Sequence, residues 1–358
     1  MKNKTSKVFA IVLSIAFVFC TFFSAVPVLA LEHMRQNDAL AAYAQDVLPQ
    51  VLEFHRITEP NNVVIGNALP TYYVEGQSLY AAEYEAFPLF IDGTIYSIIR
   101  QYTAPNGVKS YSCRLDATNV ANIDADIGAL VYTEESVSVI DDLANILDNG
   151  VALTNKKNNI TADTEVQFAE ISPQGGVTLE TLDFAKKSNL RYSDEGECPV
   201  DYVPNTSTSC CPDGLCWAAC CASLANTFAG GSYTARSFHN SVDCDLYHQA
   251  YHTYMIIFLN DAGVLTSSSQ YTSNLTYSTL KSYVNDDQVA LLHLNSMSSN
   301  VGHYVIAYGY YTTDSGTKHF RYMDPNEGEC TSQFPPSGTV YVAASGIGYA
   351  VHCYVKCY

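Results

Sequence analysis

Basic residues are scarce in this chain: 18 Lys and Arg stand against 36 Asp and Glu in 358 residues, a formal net charge of −18. From residue 191 onward the only cations are Arg191, Arg236, Lys281, Lys318, Arg321 and Lys356. A surface so poor in cations cannot neutralise a run of phosphates, which excludes nucleic acid as a partner and argues against an anionic membrane surface. Long apolar runs are absent after the first thirty residues. No later segment therefore offers the twenty or so apolar residues of a membrane span. Tryptophan occurs once, at Trp217.

The first thirty residues have the make-up of a secretory signal: Lys2, Lys4 and Lys7, then a mostly apolar stretch from Phe9 to Phe23, then Val28-Leu29-Ala30 as a small-residue cleavage site. The expectation is a secreted, extracellular protein with no stable membrane anchor. Cys20 lies within the apolar stretch, but Phe17-Val18-Phe19 before it does not resemble a lipoprotein signal. The acidic charge suits an exported protein held apart from its copies by repulsion.

Cysteine is plentiful. Of twelve, eleven lie beyond Cys20. An oxidising compartment predicts disulfides, and an odd count leaves one thiol over. The distribution divides the chain. Residues 31 to 190 hold only Cys113, whereas ten cysteines lie between Cys198 and Cys357. Between the two regions, residues 186 to 197 are polar and poor in apolar side chains, which predicts a linker open to proteolysis.

In the first region Leu40, Tyr43, Ala44, Val47, Leu48, Val51 and Leu52 follow helical spacing. Pro49 is expected to kink or shorten that helix. Strand-like runs follow at Thr71–Val74, Phe87–Ile91, Thr94–Tyr102 and Ala129–Tyr132, with Asp92-Gly93 and Asn106-Gly107 as hairpin turns. Ser136 to Leu147 is read as a further helix. His33 and His55 stand alone and are expected to be solvated. The region reads as a smaller α+β accessory or pro-domain.

The second region, 198 to 358, opens with a helix from Leu215 to Phe228, stopped by Gly230-Gly231. Helices over Tyr247–Leu259 and Tyr277–Val284 come next. Strands at Val289–Leu294, His303–Tyr311, His319–Met323, Thr339–Ala343 and Tyr349–Tyr354 complete it. Helices first and antiparallel strands after define an α+β arrangement.

Three elements carry chemistry. Cys216 starts a helix, where unpaired N–H groups and the helix dipole stabilise a thiolate. Gly214 allows close backbone approach before it, and Trp217 is expected to pack behind it. His303 opens a strand after Gly302, where a neutral imidazole could take the thiol proton. Asp324 ends the next strand. Pairing those strands as a hairpin would bring its carboxylate to the second nitrogen of His303.

The Cys216-Trp217-Ala218-Ala219 block, the Gly302-His303-Tyr304-Val305 strand and Met323-Asp324-Pro325 resemble the papain-like cysteine peptidases. The closest likeness is to the bacterial subgroup similar to the bacteriocin double-glycine-leader peptidases (peptidase C39-like). The resemblance covers roughly residues 200 to 345. It implies a papain-like fold, Cys216 as nucleophile, His303 as base then acid, and Asp324 as the orienting group. It also implies a peptide or protein substrate and no cofactor. One departure stands out: the family places a glutamine shortly before the nucleophile as an oxyanion donor, and here Ser209, Cys210 and Cys211 occupy that stretch. Ser209 and the backbone N–H of Cys216 are the candidate donors, and loss of a side-chain donor costs about 10²–10³ in rate.

The expected protein is a secreted cysteine peptidase made as a zymogen, with residues 31–190 as its own inhibitor, released by cleavage within 186–197. The alternative is an inactive papain-like binding or adhesion module stabilised by disulfides. Acyl transfer through the same thioester is a third reading. Cys244, His248 and His252 at helical spacing, with His239, form a weaker constellation of zinc-ligand type, and Cys244 is expected in a disulfide instead. Tyr304, Tyr308, Tyr310 and Tyr311 are expected to pack the sheet.

Overall fold

This computed structural model describes residues 38–75, 78–117, 127–132, 137–140, 161–162, 167–179, 192–206, 214–241, 252–265, 271–298 and 302–358. The chain divides into two compact units, Met1–Tyr43 and Ala44–Tyr358. The described part of the first, 38–43, is helical, with Leu40 and Tyr43 buried. All that follows concerns the second. Among the described residues no helix is long and apolar enough to cross a membrane.

The second unit is α+β. It begins with a helix over 44–54 (α1), which buries Ala44, Val47, Leu48, Val51 and Leu52 as the spacing requires and runs on past Pro49. Eleven strands follow: β1 (Val63–Ile65), β2 (Thr71–Glu75), β3 (Ser78–Ala81), β4 (Tyr84–Ile91), β5 (Thr94–Thr103), β6 (Lys109–Arg114), β7 (Ile127–Tyr132), β8 (Val137–Ile140), β9 (Thr161–Ala162), β10 (Ala169–Glu170) and β11 (Val177–Leu179). Then come β12 (Asp194–Glu197), α2 (Cys216–Ala229), α3 (Ala235–Ser241), α4 (His252–Asp261) and α5 (Tyr277–Asn285). Last are β13 (Val289–Ser296), β14 (Gly302–Thr312), β15 (Lys318–Asp324), β16 (Gly328–Gln333), β17 (Tyr341–Ala344) and β18 (Ile347–Cys357).

The predicted hairpin at Asp92-Gly93 forms. Both residues are left-handed, with φ of 50° and 85°, as a two-residue turn between β4 and β5 demands. Three expectations need correction. Val137–Ile140 is a strand paired antiparallel to β7, not a helix, because its valines suit a pleated surface better than a helix. His55 is only partly solvated: it is half-buried, and its Nε2 reaches the carbonyls of Leu115 (2.8 Å) and Tyr96 (3.1 Å). From Asp194 on, the expected linker is β12, which continues along β14. Its acidic side chains meet cations there: Asp194 with Lys281, and Glu195 and Glu197 with Arg321.

The strands build a 12-stranded sheet and a 6-stranded sheet. In the larger one the order β11-β1-β4-β5-β6 continues directly into β16-β15-β14-β13-β18-β17. The joint is β6 against β16, with Cys113 opposite Thr331. The two regions that differ so sharply in cysteine content thus share one sheet. They are pinned further by the Arg100–Glu327 ion pair, 2.6 Å long and wholly buried.

Over the β13–β14–β18 part of the sheet lies α2. Trp217, Ala218, Ala219, Leu224 and Ala225 pack with Leu291, Ile306 and Val355 in one core. The helix stops at Gly230, left-handed at φ 68°, whose N–H returns to the Ala225 carbonyl. The four tyrosines of β14 are buried, as sheet packing predicts. The few cations rest on tyrosine faces: Lys281 over Tyr310, Lys318 over Tyr277, Arg321 over Tyr311 and Lys356 over Tyr283.

Candidate active site

Position makes Cys216 unlike its neighbours. It is the first residue of α2, and the N-cap, Leu215, offers no side-chain acceptor to the first turn. The N–H groups there keep their partial positive charge at the Cys216 end of the helix. Gly214 enters the turn at φ +89°, a conformation natural to glycine, and a Cβ there would lie 2.6 Å from Asn205 Nδ2. The Asn205 amide fixes the turn from beneath. Its Oδ1 accepts from the N–H of Leu215 (2.6 Å) and of Thr206 (2.8 Å).

His303 is the second residue of β14 and Asp324 the last of β15. These strands pair antiparallel, with Ile306 opposite Met323, so the two side chains meet beyond the ladder. His303 Nε2 lies 3.0 Å from Asp324 Oδ1, and that oxygen also accepts the Asn326 N–H at 2.8 Å. Both residues are buried. Cys216 lies close enough to the imidazole to raise its basicity. The tilted ring of Tyr349 backs the imidazole at 5.6 Å. The structure thus brings Cys216, His303 and Asp324 together.

Electrostatics agree with the geometry. Burial disfavours the charged imidazole, but the Asp324 carboxylate and the Cys216 sulfur outweigh it, and His303 is held well above the ordinary histidine range. Burial likewise disfavours the Asp324 carboxylate, and the His303 charge reverses that, leaving its pKa low. Each of these buried groups favours the charged form of the other, which makes His303 a stronger base than a free imidazole.

A polar network that sequence reasoning did not find supports the triad. Asn205 Nδ2 donates to Asn326 Oδ1 (2.7 Å), and the Asn205 N–H donates to the Pro325 carbonyl (2.8 Å). Asn326 Nδ2 reaches Ser345 Oγ (3.0 Å), and the Ser345 N–H donates to Glu327 Oε1 (2.6 Å). Glu327 Oε2 accepts from Arg100. Arg100 belongs to β5, so the N-terminal region reaches the turn that holds the acid. The one local signal was the polar run Asn326-Glu327 directly after Asp324-Pro325.

Other cysteines are placed differently. Cys220 and Cys221 are buried, and desolvation raises both thiols well above their ordinary range. Cys113, Cys198, Cys216, Cys220, Cys221, Cys330, Cys353 and Cys357 are free thiols, so no disulfide forms among the described residues, contrary to the expected framework. Ser209, Cys210, Cys211, Cys244, His248 and the side chain of His252 lie outside the described residues. His239 is buried against Trp217, the ring centroids 5.8 Å apart. His319 lies elsewhere on β15, its ring stacked on Tyr311 and its Nε2 3.7 Å from Asp46.

A cleft of about 460 Å³ is lined by Glu53, Glu195, Glu197, Tyr308, Arg321 and Glu329, among others. Tyr308 is roughly 16 Å along β14 from His303, and no triad residue lines this cleft. No protein-family model matches the chain, and no curated protein sequence matches it either.

Proposed function

We propose that this chain is a cysteine peptidase with a papain-like division of labour, a helix supplying the nucleophile and a sheet supplying the base. One observation carries the reading: a thiol at a bare helix N-terminus lies beside an imidazole whose Nε2 sits 3.0 Å from a buried carboxylate.

In the reaction, the Cys216 proton passes to His303, giving a thiolate–imidazolium pair. The thiolate attacks the peptide carbonyl carbon, and the carbonyl oxygen becomes an oxyanion beside the N–H groups of the first α2 turn. Collapse breaks the C–N bond, and His303 gives its proton to the departing amine. An acyl thioester remains on Cys216. Water then attacks it with His303 as base, releasing the acid and restoring the thiol. Asp324 holds the ring and stabilises its charge, taking no proton.

Export, suggested by the first thirty residues, would place this activity outside the cell. The zymogen expectation takes a narrower form. The β6–β16 pairing and the Arg100–Glu327 pair support a region that stays seated after cleavage at 186–197, so cleavage by itself is expected not to release it. The binding-module alternative is weakened by the free thiol at Cys216.

The test is labelling of the folded, unreduced protein with an epoxide-type thiol inactivator, mapped by mass spectrometry. Fast modification confined to Cys216, slowed about 10²-fold or more in His303→Ala, is the expected result. No labelling, with Cys216 recovered in a disulfide, would sink the peptidase reading. Product analysis with and without an amine acceptor separates hydrolysis from acyl transfer.

A further inference from the structure

Away from the triad, three metal-ligand side chains converge on β13 and β18. His293 on β13 and Cys353 on β18 are direct cross-strand partners. Strict alternation would send the next residue, His352, to the opposite face of the sheet. The register slips at this point. Leu294 pairs with Val351, which leaves His352 as the extra residue of a bulge. A bulge re-aims a side chain, and bulges gather next to functional sites. In this instance one ligand atom from each of His293, His352 and Cys353 lies within 4.8 Å of the others.

The surroundings suit a bound cation. Cys353 Sγ is 3.8 Å from His293 Nδ1, and the two imidazoles meet edge to face with centroids 5.6 Å apart. His293 is held by stacking on Tyr304 at 4.7 Å. Gly302 leaves room beside the ring, since a Cβ at that position would lie 3.1 Å from His293 Nε2. His352 is exposed while Cys353 is buried, so the cluster is closed behind and open to solvent in front.

We propose that His293, His352 and Cys353 bind a zinc-class divalent cation. Two imidazoles and a thiolate are the donors that borderline-soft metals take, and three protein ligands leave a fourth tetrahedral position for water. Binding exchanges the Cys353 S–H proton, released to solvent, for an S–metal bond. The site uses none of Cys216, His303 and Asp324, so it stands whether or not the chain is a peptidase. It differs also from the Cys244–His248–His252 constellation.

The test uses the full chain, stripped of metal under reducing conditions and titrated with Co(II), then with Zn(II). The expected result is one Co(II) per chain, with a sulfur-to-metal absorption in the near ultraviolet that Zn(II) abolishes. The Cys216→Ala variant keeps the band. Cys353→Ser removes it, and His352→Ala, a change at an exposed side chain, weakens binding about tenfold or more. Circular dichroism of each variant separates ligand loss from misfolding. The proposal fails if no such band forms, if the band survives Cys353→Ser but not Cys216→Ala, or if Cys353 in the native protein is found in a disulfide.

Discussion

Cys216 and the Cys220–Cys221 pair share a helix, a residue type and a sheet beneath them, yet their chemistry diverges within about one turn. Cys216 stands half-buried at the helix mouth, beside His303. Cys220 is sealed in, its Sγ–H donated to the Tyr304 carbonyl at 3.3 Å, and its thiol is raised well above the ordinary range by burial. Cys221 is buried and raised in the same way. On the proposed reading, reactivity follows position along the helix, because only the first turn carries unsatisfied N–H groups and only there does an imidazole arrive.

The largest effect expected is at the nucleophile. Cys216→Ala should lower peptide hydrolysis by on the order of 10⁴-fold or more, measured as kcat/KM against peptide libraries, whereas Cys221→Ala should leave it within about tenfold. A comparable loss from both would break the contrast between the two turns.

Next in size is the buried ion pair joining the two regions. Arg100→Met leaves Glu327 charged and unpaired, and should cost about 3–5 kcal/mol of unfolding free energy in denaturant titrations. Replacing both partners with apolar residues should recover most of the loss. Equal destabilisation by the single and double variants would mean that the pair itself matters little.

Asn205→Ala should follow, at about 1–3 kcal/mol, because it strips an acceptor from the Leu215 N–H. Slower inactivator labelling of Cys216 should accompany the loss. A variant that is less stable but labels at the normal rate would confine Asn205 to folding and remove it from positioning the nucleophile.

The smallest and sharpest test is a titration. In Asp324→Asn the His303 imidazole, followed by NMR, should titrate at lower pH than in the parent protein, since the charge that raises it is gone. The same pair sets a pH window for stability. The raised His303 contributes fully below about pH 6.5 and loses its contribution as pH rises through its folded value. The lowered Asp324 contributes above about pH 3.9 and loses it as pH falls through its own. Thermal unfolding that ignores both limits would refute the ion pair.

Much of this was legible in the chain. The Ala- and Leu-rich run after Cys216 declares α2, and the apolar stretch after His303 declares β14, because burial period is local information. Gly230 marks the helix end for the same reason. The elements that escaped notice are those without a period of their own. Asp194–Glu197 is acidic and reads as linker, yet pairing with β14 makes it a strand. Gly328–Gln333 is too polar to announce itself, and becomes the strand that joins the two regions.

By itself the sequence determined the α+β class, the main helices and strands of the second region, and the order Cys216, His303, Asp324. The tertiary structure alone decided which of the other polar groups meet. Asn205 reaches Asn326 across 121 residues and Glu327 reaches Arg100 across 227. The slip that turns His352 toward Cys353 exists only where β13 and β18 pair. Periodicity encodes which face is buried, but it carries no record of a partner that folding alone brings within hydrogen-bond distance.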